Sequence, residues 1–395
     1  MVALNTPRSS TTLSCPACRA AHCFYLDWRQ KTDGIDALLT AMAAGGVGMA
    51  TLTGCPLKKA WTDDADTAPE HYLYDDGDLY FYSLTDGHVY RDLQLAAKHK
   101  TSGAGVGDLL PSGRKEFMPL LHTACGFNLS DRDVANDAEF VSSEYGIHGL
   151  GVVYMQCDDV NNMTVKNGNW THTEPAVQAL LEVAAAREPA PLPFLFINDA
   201  KSSSAKPYRE FFEYIGDVEF VCACDRTVRC LWVGAGVFHR GQFGAGTDNP
   251  KIYTEVVEAL LKDNPNLYVS LTPELIAGKL AVSPDFAVDI AAAFPERVVL
   301  GTTIRGNFTT APYNKNFNAM NCHFSYAEQC AILTGFLDKV EEALKDASEA
   351  ADDAAIAAEV SWARARVRFG NAGVLYNLLD ENEMRTLLAP LSWKV

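Results

Sequence analysis

Long apolar runs are missing from this sequence: no stretch approaches the roughly 20 residues that a membrane-spanning helix needs, and the start carries no continuous apolar segment of the kind a secretory signal requires. Membrane insertion is therefore not expected. Positive charge is also short, with 33 Lys and Arg against 50 Asp and Glu and a formal net charge of -17. A field of that sign repels polyphosphates and anionic lipid headgroups, which excludes nucleic acid as an expected partner. Acids are absent before Asp27, but Arg8 and Arg19 are too few for a transit peptide, so residues 1–19 are read as a flexible N-terminus. Regular cysteine spacing is lacking as well. The 11 cysteines are odd in number and scattered, which speaks against a disulfide framework and for reduced thiols in the cytoplasm.

Set against these absences, 48% of the residues are hydrophobic and 21% charged, enough to bury a large core under a solvated shell. At 395 residues the chain suits two average domains or one α/β barrel, and the pattern along it decides between them. Eight short β-branched or aromatic runs recur: His22 to Leu26, Val47 to Thr53, Phe117 to Phe127, His148 to Met155, Leu192 to Asn198, Arg229 to Val233, Leu267 to Leu271 and Arg297 to Thr302. Between them the spacing predicts helices at Gly34 to Ala44, Asp131 to Ser143, Glu174 to Arg187, Tyr208 to Ile215, Tyr253 to Lys262 and Asp285 to Phe294. Parallel strands need crossovers of this length, and eight of them closing on themselves make a single (β/α)8 TIM-like barrel. Two junctions share one grammar. A helix stops before proline in Asp263-Asn264-Pro265-Asn266 and in Phe294-Pro295-Glu296-Arg297, and a buried strand follows each.

Two regions break the rhythm. Residues 58–111, after the second run, are too long for an ordinary loop and are rich in Tyr and Asp around Tyr72 to Tyr82, so they read as an insert or lid over the barrel mouth. Its aromatics suit a partner-binding surface or a cap on its own barrel. Residues 326–395 read as extra C-terminal helices, with Ala347 to Ala358 a solvated acidic stretch.

Several phrases, in order and spacing, resemble the amidohydrolase superfamily, in its amidohydrolase-related, decarboxylase-like branch of metal-dependent hydrolases. They are Thr32-Asp33-Gly34 leading into Gly45-Gly46-Val47, Cys125-Gly126-Phe127-Asn128 with Asp131-Arg132, Gly149-Leu150-Gly151, Asn264-Pro265-Asn266-Leu267, Pro295-Glu296-Arg297 and Gly370-Asn371-Ala372. The resemblance implies one barrel over 20–395. It also implies a site in which a His-x-His pair, a carboxylate, two further His and an Asp, from strands one, four, five, six and eight, hold one or two metals that activate water. In this chain those places fall at His22 and Phe24, Val152, Ile197, Gly234 and Thr303, so that His22 alone of the ligand set remains. A catalytic zinc takes three protein ligands, and one imidazole does not supply them. No metal is expected on this alignment. Element boundaries read from sequence slip by ~2 residues, and Asn198, Asp199, His239 and Arg305 keep open another register, which would call for Zn or another divalent ion.

The remaining candidates carry plainer readings beside the functional ones. Cys15-Pro16-Ala17-Cys18, with His22 and Cys23, has the ingredients of a zinc or redox site but lacks a second pair at ribbon spacing. Cys222, Cys224 and Cys230 read as packing around a strand entry, His122 and His148 as core histidines, and Gly103 to Gly107 as a turn-rich loop without the strand-turn-helix setting of a phosphate site. Asp158 and Asp159 follow the fourth strand, and His239 and Arg240 the sixth, on the face where barrel chemistry sits. The expected function is that of a catalytically degenerate barrel kept as a binding or structural component, with a protein partner or a second copy of the chain. The competing expectation is an active hydrolase or decarboxylase of a small carboxylate or amide using His22, His239 and Asp158 or Asp199. A small-molecule sensor lined by Asn198, Thr302, Thr303 and Arg305 is the third.

Overall fold

Runs of β-branched residues separated by helix-length segments are satisfied when each strand is hydrogen-bonded on both edges and covered on both faces. The computed structural model describes residues 19–24, 32–45, 47–53, 58–60, 73–75, 78–82, 120–127, 134–144, 147–152, 174–196, 211–233, 250–277, 285–309, 324–348, 360, 362–363, 366–367, 371–377 and 382. In chain order the elements are β1 (Arg19–Phe24), α1 (Ile35–Gly45), β2 (Val47–Thr53), β3 (Lys58–Ala60), β4 (Leu73–Asp75), β5 (Asp78–Tyr82), β6 (Leu120–Phe127), α2 (Val134–Glu144), β7 (Gly149–Val152), α3 (Glu174–Ala185), β8 (Phe194–Phe196), α4 (Phe211–Cys224), β9 (Cys230–Trp232), α5 (Pro250–Asp263), β10 (Leu267–Leu271), α6 (Pro273–Ile276), α7 (Phe286–Ala293), β11 (Val298–Arg305), α8 (Tyr326–Ser348) and α9 (Asn371–Leu375). Eight strands form a closed parallel barrel in the order β1-β11-β10-β9-β8-β7-β6-β2, with the seam where His22 of β1 meets Gly301 of β11. Within 58–111, β3, β5 and β4 make a separate antiparallel sheet.

Alternation along the strands assigns the two faces. On β10, Leu267, Val269 and Leu271 belong to the apolar layer shared with α5, α7 and α8, through Val257, Leu260, Phe286, Ile290, Leu333 and Phe336. Tyr268 and Ser270, between them, then face the barrel interior. On β2 the outward set is Ala50 and Leu52, packed with Leu38 and Met42 of α1, which turns Thr51 and Thr53 inward. Residues 153–173, 197–210 and 234–249 follow β7, β8 and β9 and lie outside the described part.

Two expectations need correction. The helix placed at Tyr208 to Ile215 is α4, Phe211–Cys224. The helix continues through Gly216, where a glycine costs only about 1 kcal/mol, because burial of Val218, Val221 and Cys222 on one face outweighs it. Cys222 and Cys224 are therefore in the last turn of a helix, with Cys230 alone in the strand. Secondly, β1 already includes Arg19, so the N-terminal segment read as 1–19 ends before that residue. The C-x-x-C at Cys15 and Cys18, the Gly103 to Gly107 run and most of Ala347 to Ala358 lie outside the described residues.

Buried asparagines join the repeated units. Asn266 donates from Nδ2 to the carbonyls of Cys222, Asp225 and Val228, at 3.1, 3.3 and 2.9 Å, which ties the end of α4 to the start of β10. Arg297 donates to the carbonyls of Asn264 and Leu267. Asn371 of α9 donates to the carbonyls of Pro295 and Val298 at 2.7 and 2.6 Å, and its Oδ1 accepts from Arg366. Arg229 reaches Val374 O and Asn377 Oδ1, while Asn377 reaches Pro191 O. All these partners precede or begin strands β8, β9 and β11, so α9 and the residues after it lie against the N-terminal mouth of the barrel. At the other mouth, Asp33 Oδ2 accepts from the amides of Phe308 and Thr309 and from the Thr309 hydroxyl, bracing the seam. Gly34 follows with φ of 90°, a conformation glycine adopts freely, and α1 starts.

Replacing Asn266 by Ala strips a donor from buried carbonyls. Asn266→Ala is expected to lower the unfolding free energy by about 2–3 kcal/mol, read in urea denaturation as a lower midpoint at unchanged slope. A midpoint equal to that of the parent chain would remove Asn266 as a buttress.

Candidate functional site

In parallel barrels the side chains that do chemistry stand at the C-terminal ends of the strands. At that mouth the described residues offer Thr53 closing β2, then Thr272 and Glu274 following β10. All are buried, Thr272 at 1% and Glu274 at 0% exposure. One layer deeper, Thr51 and Ser270 point inward, whereas the inward residues of β8 and β9 are Leu195, Leu231 and Val233. The ring order puts β2, β1, β11 and β10 side by side, with β9 next to β10 and β8 beyond it. Among the described inward residues, hydroxyls lie on β2 and β10 and aliphatic side chains on β8, on β9 and just after it.

The hydroxyls of Ser270 and Thr272 have no hydrogen-bond partner. Thr272 occupies the position that caps α6, where a threonine oxygen ordinarily accepts from the first turn, but its side chain makes no such bond. Beside Ser270, Gly301 of β11 leaves room for the Ser270 Oγ, which stands where a Cβ at that position would be.

The sequence-derived site residues fall as follows. His22 lies in β1, its backbone in register with Thr51 and Gly301, and Phe24 pairs with Thr53 and Arg305. Val152 ends β7 opposite Phe196, and Thr303 is in β11. For these four, and for His122 and Arg305, the backbone alone is described. Asp158, Asp159, Ile197, Asn198, Asp199, Gly234, His239 and Arg240 lie outside the described residues. Thr302 is buried in β11 at 1% exposure. His148 precedes β7 and so stands at the N-terminal mouth, away from Thr272 and Glu274.

Glu274 is the group that sequence reasoning passed over. Every residue from Leu267 to Ile276 is buried, and within that stretch Tyr268, Ser270, Thr272 and Glu274 alternate with Leu267, Val269, Leu271, Pro273 and Leu275. Within β10 the polar Tyr268 and Ser270 at every second place mark an interior face, whereas Glu274 lies in α6, Pro273–Ile276, where that alternation no longer applies.

On the alignment that the resemblance implies, Val152 would bring no donor atom and Thr303 a neutral hydroxyl to places where the family has carboxylates. Among the described residues no three His, Cys, Asp or Glu side chains are grouped to hold an ion. The buried thiols are likewise kept neutral. A hydrogen bond with Cys222, then burial, raises Cys230, while burial and the neighbouring Cys330 raise Cys23. A thiol held protonated is a poor nucleophile and a poor ligand.

No family model matches the chain, and no curated protein does. Solved structures similar to it in overall trace include an amidohydrolase from Burkholderia multivorans, at 12% identity and a TM-score of 0.47, covering 91% of this chain and 99% of that one. A TatD homologue from Escherichia coli is similar at 11% identity and a TM-score of 0.45, covering 92% and 99%. The 2,6-dihydroxybenzoate decarboxylase from Rhizobium is similar at 11% and 0.41, covering 91% and 98%. Likeness at these levels carries no argument about the site. Among the described residues no helix is long and apolar enough to cross a membrane.

Burial lowers the pKa of His148 from its ordinary 6.5. The folded chain then binds fewer protons than the unfolded one, so this group's contribution is present above the unfolded value and is lost as pH falls through it. Unfolding free energy measured in urea between about pH 7 and about pH 5 is expected to decline, and to decline less in His148→Gln. An identical slope in the variant would show that the imidazole is not the group responsible.

Proposed function

We propose that this chain is an amidohydrolase-like barrel that has lost the family's metal chemistry and acts as a binding or structural component. What supports the reading is that, on the alignment the resemblance implies, Val152 stands where a carboxylate would close β7 and Thr303 where an Asp would close the ring at β11. The hydroxyls of Thr53 and Thr272 at the described mouth support it too, since neutral hydroxyls bind and orient but do not generate hydroxide. A protein partner or a second copy of the chain would use surfaces outside the barrel, with the insert at 58–111 as the foremost region.

The buried carboxyl of Glu274 favours a second reading, in which the mouth hydrolyses or decarboxylates a small carboxylate or amide with an acid-base group and no metal. Metal content separates either reading from the inherited mechanism. Plasma mass spectrometry on protein purified without chelator is expected to find negligible Zn, Mn and Co. Titration with each ion is expected to leave the melting temperature unchanged. Near-stoichiometric metal, lost in His22→Ala, would overturn the proposal and restore the metal-dependent hydrolase.

A further inference from the structure

One strand of the ring is joined irregularly on both edges. β1 shifts register against β2 between Arg19 and Ala20, and against β11 between His22 and Phe24. The other joins of the barrel run without a shift. A shift interrupts the ladder of backbone hydrogen bonds, so β1 gains less from its neighbours than a regular strand of its length. The core divides at the same place. Among the described residues, Cys23 of β1 packs in one apolar cluster with Leu38 and Met42 of α1, Leu52 of β2, and Tyr326 and Cys330 at the start of α8. Strands β7 to β10, with Leu333 and Phe336 further along α8, belong to a second cluster. β11 contributes to both, Val298 and Leu300 to the second and Ile304 to the first. Parts of a protein with separate cores open separately, each with its own free energy.

At the N-terminal mouth a short C-terminal segment spans this division. Asn371 donates to the carbonyl of Val298, where β11 begins. Arg229, ahead of β9, donates to Val374 O and Asn377 Oδ1, and Asn377 donates to Pro191 O ahead of β8. Tyr376, buried at 3% exposure, brings its hydroxyl beside Thr51 of β2. Every residue from Asn371 to Tyr376 is buried, so the segment is packed into the fold and is not a fraying end. In the ring β1 stands between β11 and β2. The segment is therefore fastened to the strand on either side of β1, and through Arg229 and Pro191 to the far half of the barrel. We propose that residues 371–377 are a strap that keeps β1 in the ring by fixing β11 and β2 on either side of it, and that the unit of β1, α1 and β2 opens locally when the strap is released. Release bares the backbone edges of β11 and β2. The inference is independent of the lost metal chemistry and holds equally for an active barrel.

The test is hydrogen exchange followed by mass spectrometry on the full chain and on Tyr376→Phe and Asn371→Ala, with Asn266→Ala as a change placed away from the seam. In Tyr376→Phe, amides of β1 and β2 are expected to exchange about fivefold faster, while those of β8 to β10 keep the rates of the parent chain. Asn371→Ala is expected to give the same pattern. Asn266→Ala is expected to speed exchange in α4 and β10 and to leave β1 and β2 unaltered. Tyr376→Phe keeps the buried ring, so it decides the matter even where Asn371→Ala fails to fold. Parent rates in β1 and β2 of Tyr376→Phe would overturn the inference. So would an equal acceleration in every strand, which would make the segment a support of the whole fold and not a strap on the seam.

Discussion

Closure of the ring at the β1–β11 seam is the constraint on which everything else depends. Pairing His22 with Gly301 joins the first and last barrel strands across nearly the whole chain, and until it forms both strands present open edges. A contact of such sequence separation is entropically costly to make and comes late. The seam is braced on its C-terminal side by Asp33, whose carboxylate collects two amides and a hydroxyl from the segment after β11. Strands β9 to β11 are held in place from the opposite mouth by Asn266 and Asn371, which donate to carbonyls ahead of β9 and at the start of β11, and by Arg229, which precedes β9 and donates to the Val374 carbonyl of α9. Stability is therefore concentrated at the N-terminal mouth and the outer layer. This leaves the C-terminal mouth free to carry polar groups that contribute nothing to packing.

That division appears within a single strand. Leu267, Val269 and Leu271 face the helices and hold the fold, while Tyr268 and Ser270, with Thr272 beyond them, face inward. Substitution on one face leaves the other untouched, because neighbouring side chains of a strand point to opposite sides. A barrel of this kind can lose its chemistry without losing its core.

The parts legible in the sequence were those that local physics fixes. Val47 to Thr53 and Leu267 to Leu271 coincide with β2 and β10, since each is a short apolar run bounded by Gly or Pro. The phrase Asn264-Pro265-Asn266 gave a helix stop, but its long-range task, gathering carbonyls from Cys222 to Val228, depends on residues that only the fold brings close. The same holds for Asn371. α4 runs to Cys224 because its buried face, Val218, Val221 and Cys222, continues past Ile215. Glu274 follows β10, a strand that supplies none of the ligand positions the resemblance implies. The placement of Asp158, Asp199 and His239 relative to the mouth falls outside the described residues, so the candidate site as drawn from sequence and the one drawn from structure share the seam side of the barrel but not their key residues.

On the proposed reading, the replaced ligand positions belong together for an energetic reason. Carboxylates and imidazoles that converge on a metal are tolerable in a desolvated mouth because the cation neutralises them. Without the ion, an isolated buried charge faces a desolvation penalty that far exceeds that of a neutral hydroxyl, and like charges held close repel one another. Loss of the metal would therefore make each remaining acidic ligand a liability, and replacement by Val152 and Thr303 would remove it. An imidazole bears the same loss more easily, because it can stay neutral near pH 7, so charge accounts for the exchange of carboxylates at Val152 and Thr303 and not for that of imidazoles at Phe24, Ile197 and Gly234 on the same alignment.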